Sequence, residues 1–384
     1  LNRKQNHLKM NAYDVTSGML RKTLFEEKAA KYVEPESPIF FLPKQSNNFI
    51  YLSERDGFNH AYLYDIDGNM IDRLTSGDWM INSIEGFNDK GSEVYFYATK
   101  DSPLEQNLYA CNLKNKKIRR CTPEKGTHHV RFNSAGTLFL DSYSSSTQAR
   151  RVVLYNDKAK ELKQLHQSED PWAKLDKPQI DVFTIKAKDG TDLYARMIKP
   201  INFDVNKKYP VIVYVYGGPH AQLITDTWLS GANNFFLFLA QQGYIVWTVD
   251  SRGSANRGYE FESAIWRNCG SIEVSDQMDG VNYLKSLPYV DAERIGVDGW
   301  SYGGFMTISL KLKNPGVFKT ATAGGPVIDW KWYEIMYGER YMSSPEDNPE
   351  GYEKASLLNY ANQLEGKLLV IHGAQDPTVV MQHS

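Results

Sequence analysis

One serine of this sequence lies in a setting that could make it a nucleophile. In the stretch Gly-Trp-Ser-Tyr-Gly, Ser301 has a glycine two residues away on each side, at Gly299 and Gly303. The preceding segment RIGVD is typical of a buried strand, and the following segment FMTISLKLK is typical of a helix. A strand, Gly-x-Ser-x-Gly and a helix form a strained turn that exposes the serine hydroxyl. We predict that Ser301 carries out acyl transfer; the alternative is a structural glycine-rich turn.

An acid for this nucleophile is expected after a later strand. The apolar segment LLVIHGAQDPTVV supplies Asp376 in the loop that follows the strand, in the order Ser, Asp, His of α/β-hydrolases. His372 precedes the acid, so we interpret it as a buried or capping histidine. His383 follows Asp376 too closely to reach Ser301 easily, but it stays open as the base. We predict instead that the base lies past Ser384.

Acyl transfer also needs hydrogen-bond donors that face the oxyanion. The backbone N–H of Tyr302, directly after the nucleophile, is one candidate. The segment VIVYVYGGP supplies the other, because Gly217 and Gly218 allow its loop to approach closely and the Tyr216 hydroxyl could donate.

The elements that position these residues fall into two regions. Residues 1–178 show short alternating strands separated by turns, and a Leu-Tyr pair recurs at 63–64, 108–109 and 154–155, a period of about 45 residues. This pattern favours the C-terminal blades of a β-propeller, with a β-sandwich as the alternative.

Residues 179–384 contain five continuous apolar runs that end at glycine or aspartate, with helical stretches between several of them. Strands of that kind indicate a mostly parallel sheet, so we predict an α/β-hydrolase domain that is incomplete at its C-terminal side. The active sites of such sheets lie at the strand ends.

The composition excludes several classes of function. There are 46 acidic and 44 basic residues, and no basic run indicates nucleic-acid binding. Apolar runs are too short to span a membrane, and the histidines and three cysteines show no metal-ligand spacing. Cys111 and Cys121 could face each other across a hairpin, although the expected register offsets them. The opening residues resemble the middle of a β-structure, so we expect the chain to be a fragment.

Several long motifs resemble the prolyl oligopeptidase family, in its dipeptidyl peptidase IV branch. They are YPVIVYVYGGPHAQL, VDSRGSANRG, GWSYGGFMT, GGPVIDWKWYEIMYGERYM and HGAQDPTVV, and within the branch they are most similar to bacterial prolyl tripeptidyl peptidases. The resemblance implies a propeller joined to an α/β-hydrolase that releases tripeptides or dipeptides after proline from free N-termini, without a cofactor or metal.

The resemblance also implies roles for individual residues. Ser301 is the nucleophile, Asp376 the triad acid and the Tyr216 hydroxyl an oxyanion donor. Glu334 matches a position that binds the substrate amino terminus; the alternative is an ordinary exposed glutamate. The residues that match the walls of the proline pocket are Tyr302, Val327, Trp330, Tyr333, Tyr337 and Val379. A proline ring lacks an N–H, so aromatic faces can hold it without leaving a polar group unpaired; without the resemblance these aromatics would be interpreted as core packing.

Other charged residues near the motifs are interpreted as structural. We expect Arg252 and Arg257 to fix loops through hydrogen bonds, and Glu273 and Asp276 to be helix-start charges rather than catalytic carboxylates. Thr378 replaces an asparagine of dipeptidyl peptidase IV, which favours tripeptide release.

From the resemblance we expect peptide substrates that contain proline, a homodimer of the full-length protein, and a periplasmic or cell-surface location in a bacterium. The histidine of the family falls past Ser384, so the chain alone should hydrolyse peptides poorly. The alternatives are an esterase or acyl-peptide hydrolase, and a propeller that binds without catalysis.

Overall fold

The computed structural model describes residues 1–35 and 37–384, which form two compact units. The first unit contains Leu1–Asp170, Thr225–Leu229 and Asn256–Glu260, and the second contains Pro171–Ile224, Ser230–Ala255 and Phe261–Ser384. The boundary expected after residue 178 stays a prediction. In the described residues, no helix has both the length and the apolar character needed to cross a bilayer.

The first unit consists of antiparallel β-sheets. A two-stranded sheet is followed by three four-stranded sheets with the orders β3-β4-β5-β6, β10-β9-β8-β7 and β11-β12-β13-β14. Their strands are β1 (His7–Tyr13), β2 (Leu20–Lys28), β3 (Phe40–Leu42), β4 (Gln45–Ser53), β5 (His60–Asp65), β6 (Met70–Arg73), β7 (Ile81–Phe87), β8 (Glu93–Ala98), β9 (Asn107–Asn112), β10 (Ile118–Arg120), β11 (Thr127–Phe132), β12 (Leu138–Ser144), β13 (Arg151–Asn156) and β14 (Glu161–Gln167). Each four-stranded sheet is a meander, which confirms the prediction of propeller blades.

The recurring Leu-Tyr pairs occupy equivalent places in these sheets. They lie on β5, β9 and β13, the third strand of each meander, and are buried except for Leu154. Cys111 pairs in register with Ile118, and it packs in a different apolar cluster from Cys121. Both thiols are free, so the pairing considered for them is wrong.

The second unit is built on one seven-stranded sheet with the order β15-β16-β18-β17-β19-β20-β21. The strands β17 to β21 are parallel, and β15 and β16 add antiparallel pairs at one side. Their bounds are β15 (Ile180–Lys186), β16 (Asp192–Ile198), β17 (Tyr209–Tyr214), β18 (Ile245–Asp250), β19 (Val290–Trp300), β20 (Thr320–Gly324) and β21 (Lys367–Ile371). This is the mostly parallel α/β sheet that the sequence predicted.

The chain also contains helices. The α-helices are α1 (Asn234–Gln241), α2 (Tyr259–Glu262), α3 (Ile272–Ser286), α4 (Tyr302–Lys313), α5 (Ile335–Met342) and α6 (Pro349–Ala355). Short 3-10 helices are found at Trp228–Gly231, Ser263–Ile265, Trp330–Trp332, Leu357–Gln363 and Met381–His383.

The helix α4 is the most buried of these, and every residue in it except Lys313 is buried. It approaches β20 closely, because a Cβ built on Gly304 would lie only 2.5 Å from the carbonyl oxygen of Gly324. The core therefore fixes the helix that begins directly after Ser301.

Candidate active site

Ser301 lies between the end of β19 and the start of α4 in a strained backbone conformation. Its φ is 61° and its ψ is −119°, a region that a residue with a side chain rarely adopts. A Cβ built on Gly299 or on Gly303 would lie 2.4 Å from the carbonyl oxygen of Val215. The Ser301 N–H donates to the Gly324 oxygen at 2.8 Å. The two glycines therefore permit the tight turn, and the neighbouring strand holds the serine in it.

Asp376 lies in the loop after β21, at the same edge of the sheet. A hydrogen bond joins β21 to the loop that follows β20: the Gly325 N–H donates to the Ile371 oxygen at 2.7 Å. A Cβ built on Gly325 would lie 3.8 Å from Asp376 Oδ2 and 3.6 Å from the indole nitrogen of Trp300. The carboxylate and the indole of Trp300, the residue directly before Ser301, therefore both border Gly325.

Backbone hydrogen bonds hold the Asp376 carboxylate. Its Oδ1 accepts the N–H of Thr378 at 2.9 Å and that of Val379 at 3.0 Å. These two bonds, with Thr378 first, lower the pKa of Asp376 below its usual value. The group is therefore an anion at neutral pH, as an acid that orients a catalytic histidine must be.

The two histidines near Asp376 have other partners. Nε2 of His372 lies 2.7 Å from the Val379 oxygen, and its Nδ1 lies 2.5 Å from the Ser384 hydroxyl. His383 is 3% exposed and bonds to the backbone of Ile328 and Trp332. A base past Ser384 stays a prediction.

We call the strained turn from Gly299 to Gly303 the elbow. The loop after β17 carries Tyr216 to it. The ring centroids of Tyr216 and Tyr302 are 6.2 Å apart, and a Cβ on Gly218 would lie 2.7 Å from the Tyr216 ring. As the first residue of α4, Tyr302 has an N–H without an intrahelical acceptor. A glycine at 218 therefore leaves room for the ring beside the candidate oxyanion site.

The same loop is braced from β18. The two carboxylate oxygens of Asp250 accept the N–H groups of Leu223 and Ile224, each at 2.9 Å. The Gly253 oxygen accepts the N–H of His220 at 2.8 Å. These bonds limit the freedom of the loop that holds Tyr216.

The four aromatic residues singled out from the sequence form one cluster. The Trp330 ring lies 5.2 Å from Tyr302, 5.3 Å from Tyr333 and 5.9 Å from Tyr337. Tyr333 and Tyr337 are 5.3 Å apart and only partly buried. Burial raises the pKa of the hydroxyls of Tyr302, Tyr333 and Tyr337, which keeps them neutral. The cluster is an uncharged aromatic surface beside the elbow.

Val327 and Val379 are 1% and 2% exposed. Val327 follows β20 in the loop that leads to Trp330, and Val379 is held by the Asp376 carboxylate through its N–H. The resemblance assigns six residues to the walls of a proline pocket, and we call this set the aromatic pocket: Tyr302, Val327, Trp330, Tyr333, Tyr337 and Val379.

Glu334 lies at the start of α5 and is exposed. Its Oε1 accepts the N–H of Met336 at 2.9 Å, and its Oε2 accepts that of Tyr337 at 2.7 Å. The carboxylate is therefore a helix cap, and these bonds fix its orientation beside a residue of the aromatic pocket.

The structure adds residues that sequence reasoning did not assign to the site. Phe305 packs against Tyr302 at 5.4 Å, and Tyr341 packs against Tyr337 at 4.7 Å. Glu273 is buried and accepts a hydrogen bond from Tyr302. Aromatic spacing along α4 and α5 could have indicated the first two, whereas no local signal joins Glu273 to Tyr302.

The interpretation of Arg252 as structural agrees with its contacts. Its guanidinium binds the buried Asp276 carboxylate, with Nη2 2.6 Å from Oδ1, and Nη1 lies 2.5 Å from Asp189. Within the part of the chain that the structure describes, no group of three or more His, Cys, Asp or Glu side chains could hold a metal ion.

Comparison with known proteins gives two family matches. The model described as the prolyl oligopeptidase family matches residues 231–384, and the model described as the dipeptidyl peptidase IV N-terminal region matches residues 1–150. Among curated proteins, dipeptidyl peptidase 8 from Mus musculus is 34% identical over 329 residues, which cover 81% of this chain and 37% of the mouse protein.

Two solved structures are similar over the whole chain. One is a Bacteroides ovatus protein assigned as a dipeptidyl aminopeptidase IV, with 47% identity and a TM-score of 0.95; the match covers 100% of this chain and 57% of that one. The other is dipeptidyl peptidase 4 from Porphyromonas gingivalis, with 33% identity, a TM-score of 0.92 and coverage of 100% and 54%. The chain thus spans less than two thirds of each of these relatives.

Proposed function

Because the chain belongs to the prolyl oligopeptidase family, in its dipeptidyl peptidase IV branch, we propose that the protein carrying it is a serine peptidase acting after proline. It would remove short peptides from free N-termini through an acyl-enzyme. The observation that carries the proposal is the strained Ser301 at the elbow, with an ionised Asp376 at the same sheet edge and the aromatic pocket beside it.

The reaction follows from the roles of these groups. The Ser301 hydroxyl attacks the carbonyl carbon of the proline residue, and its proton passes to a histidine that the resemblance places past Ser384. The Tyr302 N–H and the Tyr216 hydroxyl donate to the oxyanion. Collapse breaks the C–N bond, the histidine returns the proton to the leaving amine, and water then hydrolyses the ester of Ser301. Asp376 stabilises the imidazolium throughout.

The aromatic pocket supports a preference for proline. Its rings are neutral and close-packed, and a proline ring is apolar and has no N–H that would need a partner there. A charged side chain would be desolvated without a polar partner, which costs binding free energy.

Glu334 supports action at free amino termini. Its two oxygens accept backbone N–H groups, but each oxygen keeps further acceptor capacity for a substrate ammonium group.

Named relatives such as dipeptidyl peptidase 8 and dipeptidyl peptidase 4 favour dipeptide release for the family branch. For this protein we propose release of tripeptides in place of dipeptides, which the resemblance and Thr378 support. Dimerisation and export to the periplasm or cell surface also stay proposals.

The test uses the full-length protein with chromogenic Ala-Ala-Pro and Ala-Pro substrates, a simple acyl ester and a fluorophosphonate probe. We expect cleavage of at least one prolyl substrate and labelling that is lost in Ser301→Ala. The ratio of the two prolyl rates measures the length of the released peptide. Turnover of the ester alone would overturn the prolyl assignment, and absence of labelling would favour a binding protein without catalysis.

A further inference from the structure

The segment that supplies Trp330 to the aromatic pocket is an irregular loop. It runs from Ile328 to Trp332 after β20, contains only a short 3-10 helix, and is flanked by Val327 and Tyr333. Two backbone bonds lie within it: Trp332 N–H to the Asp329 oxygen at 3.2 Å and Tyr333 N–H to the Trp330 oxygen at 3.3 Å. Groups from elsewhere also hold it: the Leu357 N–H donates to the Ile328 oxygen at 2.9 Å, and a side chain contacts both of its ends.

His383 contacts both ends of this segment. Its Nδ1 lies 3.2 Å from the backbone N of Ile328, and its Nε2 lies 3.3 Å from the backbone oxygen of Trp332. The imidazole is 3% exposed, and its centroid is 6.4 Å from that of Tyr333. One side chain thus spans the loop that carries Trp330.

The chemistry of the two partners fixes the state of the ring. A backbone N–H can only donate, so Nδ1 must accept; a carbonyl oxygen can only accept, so Nε2 must carry the proton. This is a single neutral tautomer. A proton added at Nδ1 would face the Ile328 N–H, donor against donor, and the bond at that end would be lost.

We infer that His383 is a positioning residue for substrate specificity: its neutral ring holds the segment from Ile328 to Trp332 and thereby sets the place of Trp330 in the aromatic pocket. The inference rests on the proposed function, because it treats this pocket as the site of the proline ring. Protonation of His383 loosens the Ile328 end and weakens proline binding.

The surroundings favour the neutral ring. Burial lowers the pKa of His383 below its usual value, while the Trp332 carbonyl and the charge of Asp329 oppose that effect and His372 adds to it. Asp329 is occupied elsewhere, since it accepts the Lys331 N–H at 2.9 Å and the Ser356 hydroxyl at 2.8 Å. The ring is therefore neutral at neutral pH and gains a proton only on acidification below its usual pKa of 6.5.

Two variants of the full-length protein separate the hydrogen bonds from the charge. Glutamine at 383 offers an oxygen acceptor and an N–H donor but does not ionise, whereas leucine offers neither. For a prolyl substrate near neutral pH, we expect His383→Gln to keep KM within about twofold. We expect His383→Leu to raise KM about tenfold with little change in kcat and to lower the preference for proline over alanine, because both hydrogen bonds to the segment are lost.

The dependence of KM on pH tests this role, because a residue with a merely structural role would not change it. The wild-type KM should rise as the pH falls below 6.5, and His383→Gln should lose that rise. The exposed His129 serves as the control, and His129→Gln should behave as the wild type. Unchanged KM and preference in His383→Leu, or an unchanged pH profile of KM in His383→Gln, would overturn the inference.

A second measurement does not depend on activity. The fluorescence of Trp330, isolated as the difference between the protein and its Trp330→Phe variant, reports whether this buried ring becomes accessible to acrylamide. We expect accessibility to increase on acidification in the wild type and not in the His383→Gln background. An equal increase in both backgrounds contradicts the inference, whereas failure to cleave any prolyl substrate, with this difference intact, contradicts only the proposed function.

Discussion

The Tyr302 hydroxyl donates a 2.6 Å hydrogen bond to Oε1 of Glu273, and both side chains are buried. The same carboxylate accepts the N–H of Gly270 at 2.9 and 3.0 Å and that of Ser271 at 3.1 Å. It therefore closes the start of α3 and also anchors the ring of the residue that follows Ser301. Burial raises the pKa of Glu273 to about 7, although these hydrogen bonds oppose the shift.

This raised pKa predicts a specific dependence of stability on pH. The unfolded chain releases the Glu273 proton near the usual value of 4.5, whereas the folded protein holds it up to about 7. Between these values the folded state binds more protons, so the free energy of unfolding falls as the pH rises, by at most about 3 kcal/mol. Glu273→Gln should remove this part of the slope. Chemical denaturation at several pH values measures it.

The matched control for that experiment is Glu350→Gln. The Glu350 side chain is 88% exposed on α6, so its replacement should leave the pH slope as in the wild type. A Glu273→Gln protein whose unfolding free energy follows the wild-type slope would show that the buried carboxyl is ionised throughout this range.

Local sequence could predict the turn at Ser301 but not the long-range contacts around it. Gly299, Ser301 and Gly303 lie within five residues, and the strain that they require is a property of that short turn. Glu273 lies at the start of α3, as the sequence predicted, yet its bond to Tyr302 joins residues 29 apart in the chain. The contact of His383 with Ile328 spans 55 residues. Such pairs depend on the packing of whole elements, which periodicity does not specify.

The sequence pattern also does not distinguish pocket from core for the aromatic residues near Ser301. The spacing of Trp330, Tyr333 and Tyr337 by itself favours core packing, and only the resemblance indicates a pocket. The structure explains the ambiguity: Trp330 is 3% exposed and packs like a core residue, while Tyr333 and Tyr337 are partly exposed around it.

Tyr216→Phe should slow acyl transfer without disturbing the fold. If the hydroxyl donates to the oxyanion, its removal should lower kcat by about 100-fold to 1,000-fold while KM changes little, because the bond strengthens mainly in the transition state. Steady-state kinetics of the full-length protein measure this change. Tyr13→Phe, which alters an exposed side chain in the first unit, is the control. A Tyr216→Phe enzyme with wild-type kcat would leave the Tyr302 N–H as the donor with the larger role.

Gly303→Ala should disrupt the elbow. The new Cβ would lie 2.4 Å from the Val215 oxygen and 3.1 Å from the Cα of Tyr216, both backbone atoms that cannot move independently. We expect a loss of several kcal/mol of stability or failure to fold. Gly338→Ala is the control in α5, where the nearest atoms are 3.7 and 3.8 Å from the new Cβ, and its stability should change by no more than about 1 kcal/mol. Thermal denaturation compares the two, and equal melting temperatures would show that the elbow relaxes freely.

Tyr337 offers a test of whether the aromatic pocket recognises proline. Its ring stacks on Trp330 with an interplanar angle of 17° and meets Tyr333 edge-on at 5.3 Å, so its contacts with these two residues are made by the ring. Tyr337→Phe should therefore keep the ratio of kcat/KM for prolyl and alanyl substrates within about twofold, whereas Tyr337→Ala should lower it about tenfold, as loss of aromatic contacts implies. Tyr360→Ala, at a tyrosine whose hydroxyl bonds the Lys354 oxygen away from the pocket, controls for the loss of a ring. Equal selectivity in Tyr337→Phe and Tyr337→Ala, with both proteins folded, would mean that the proline ring is held by other walls.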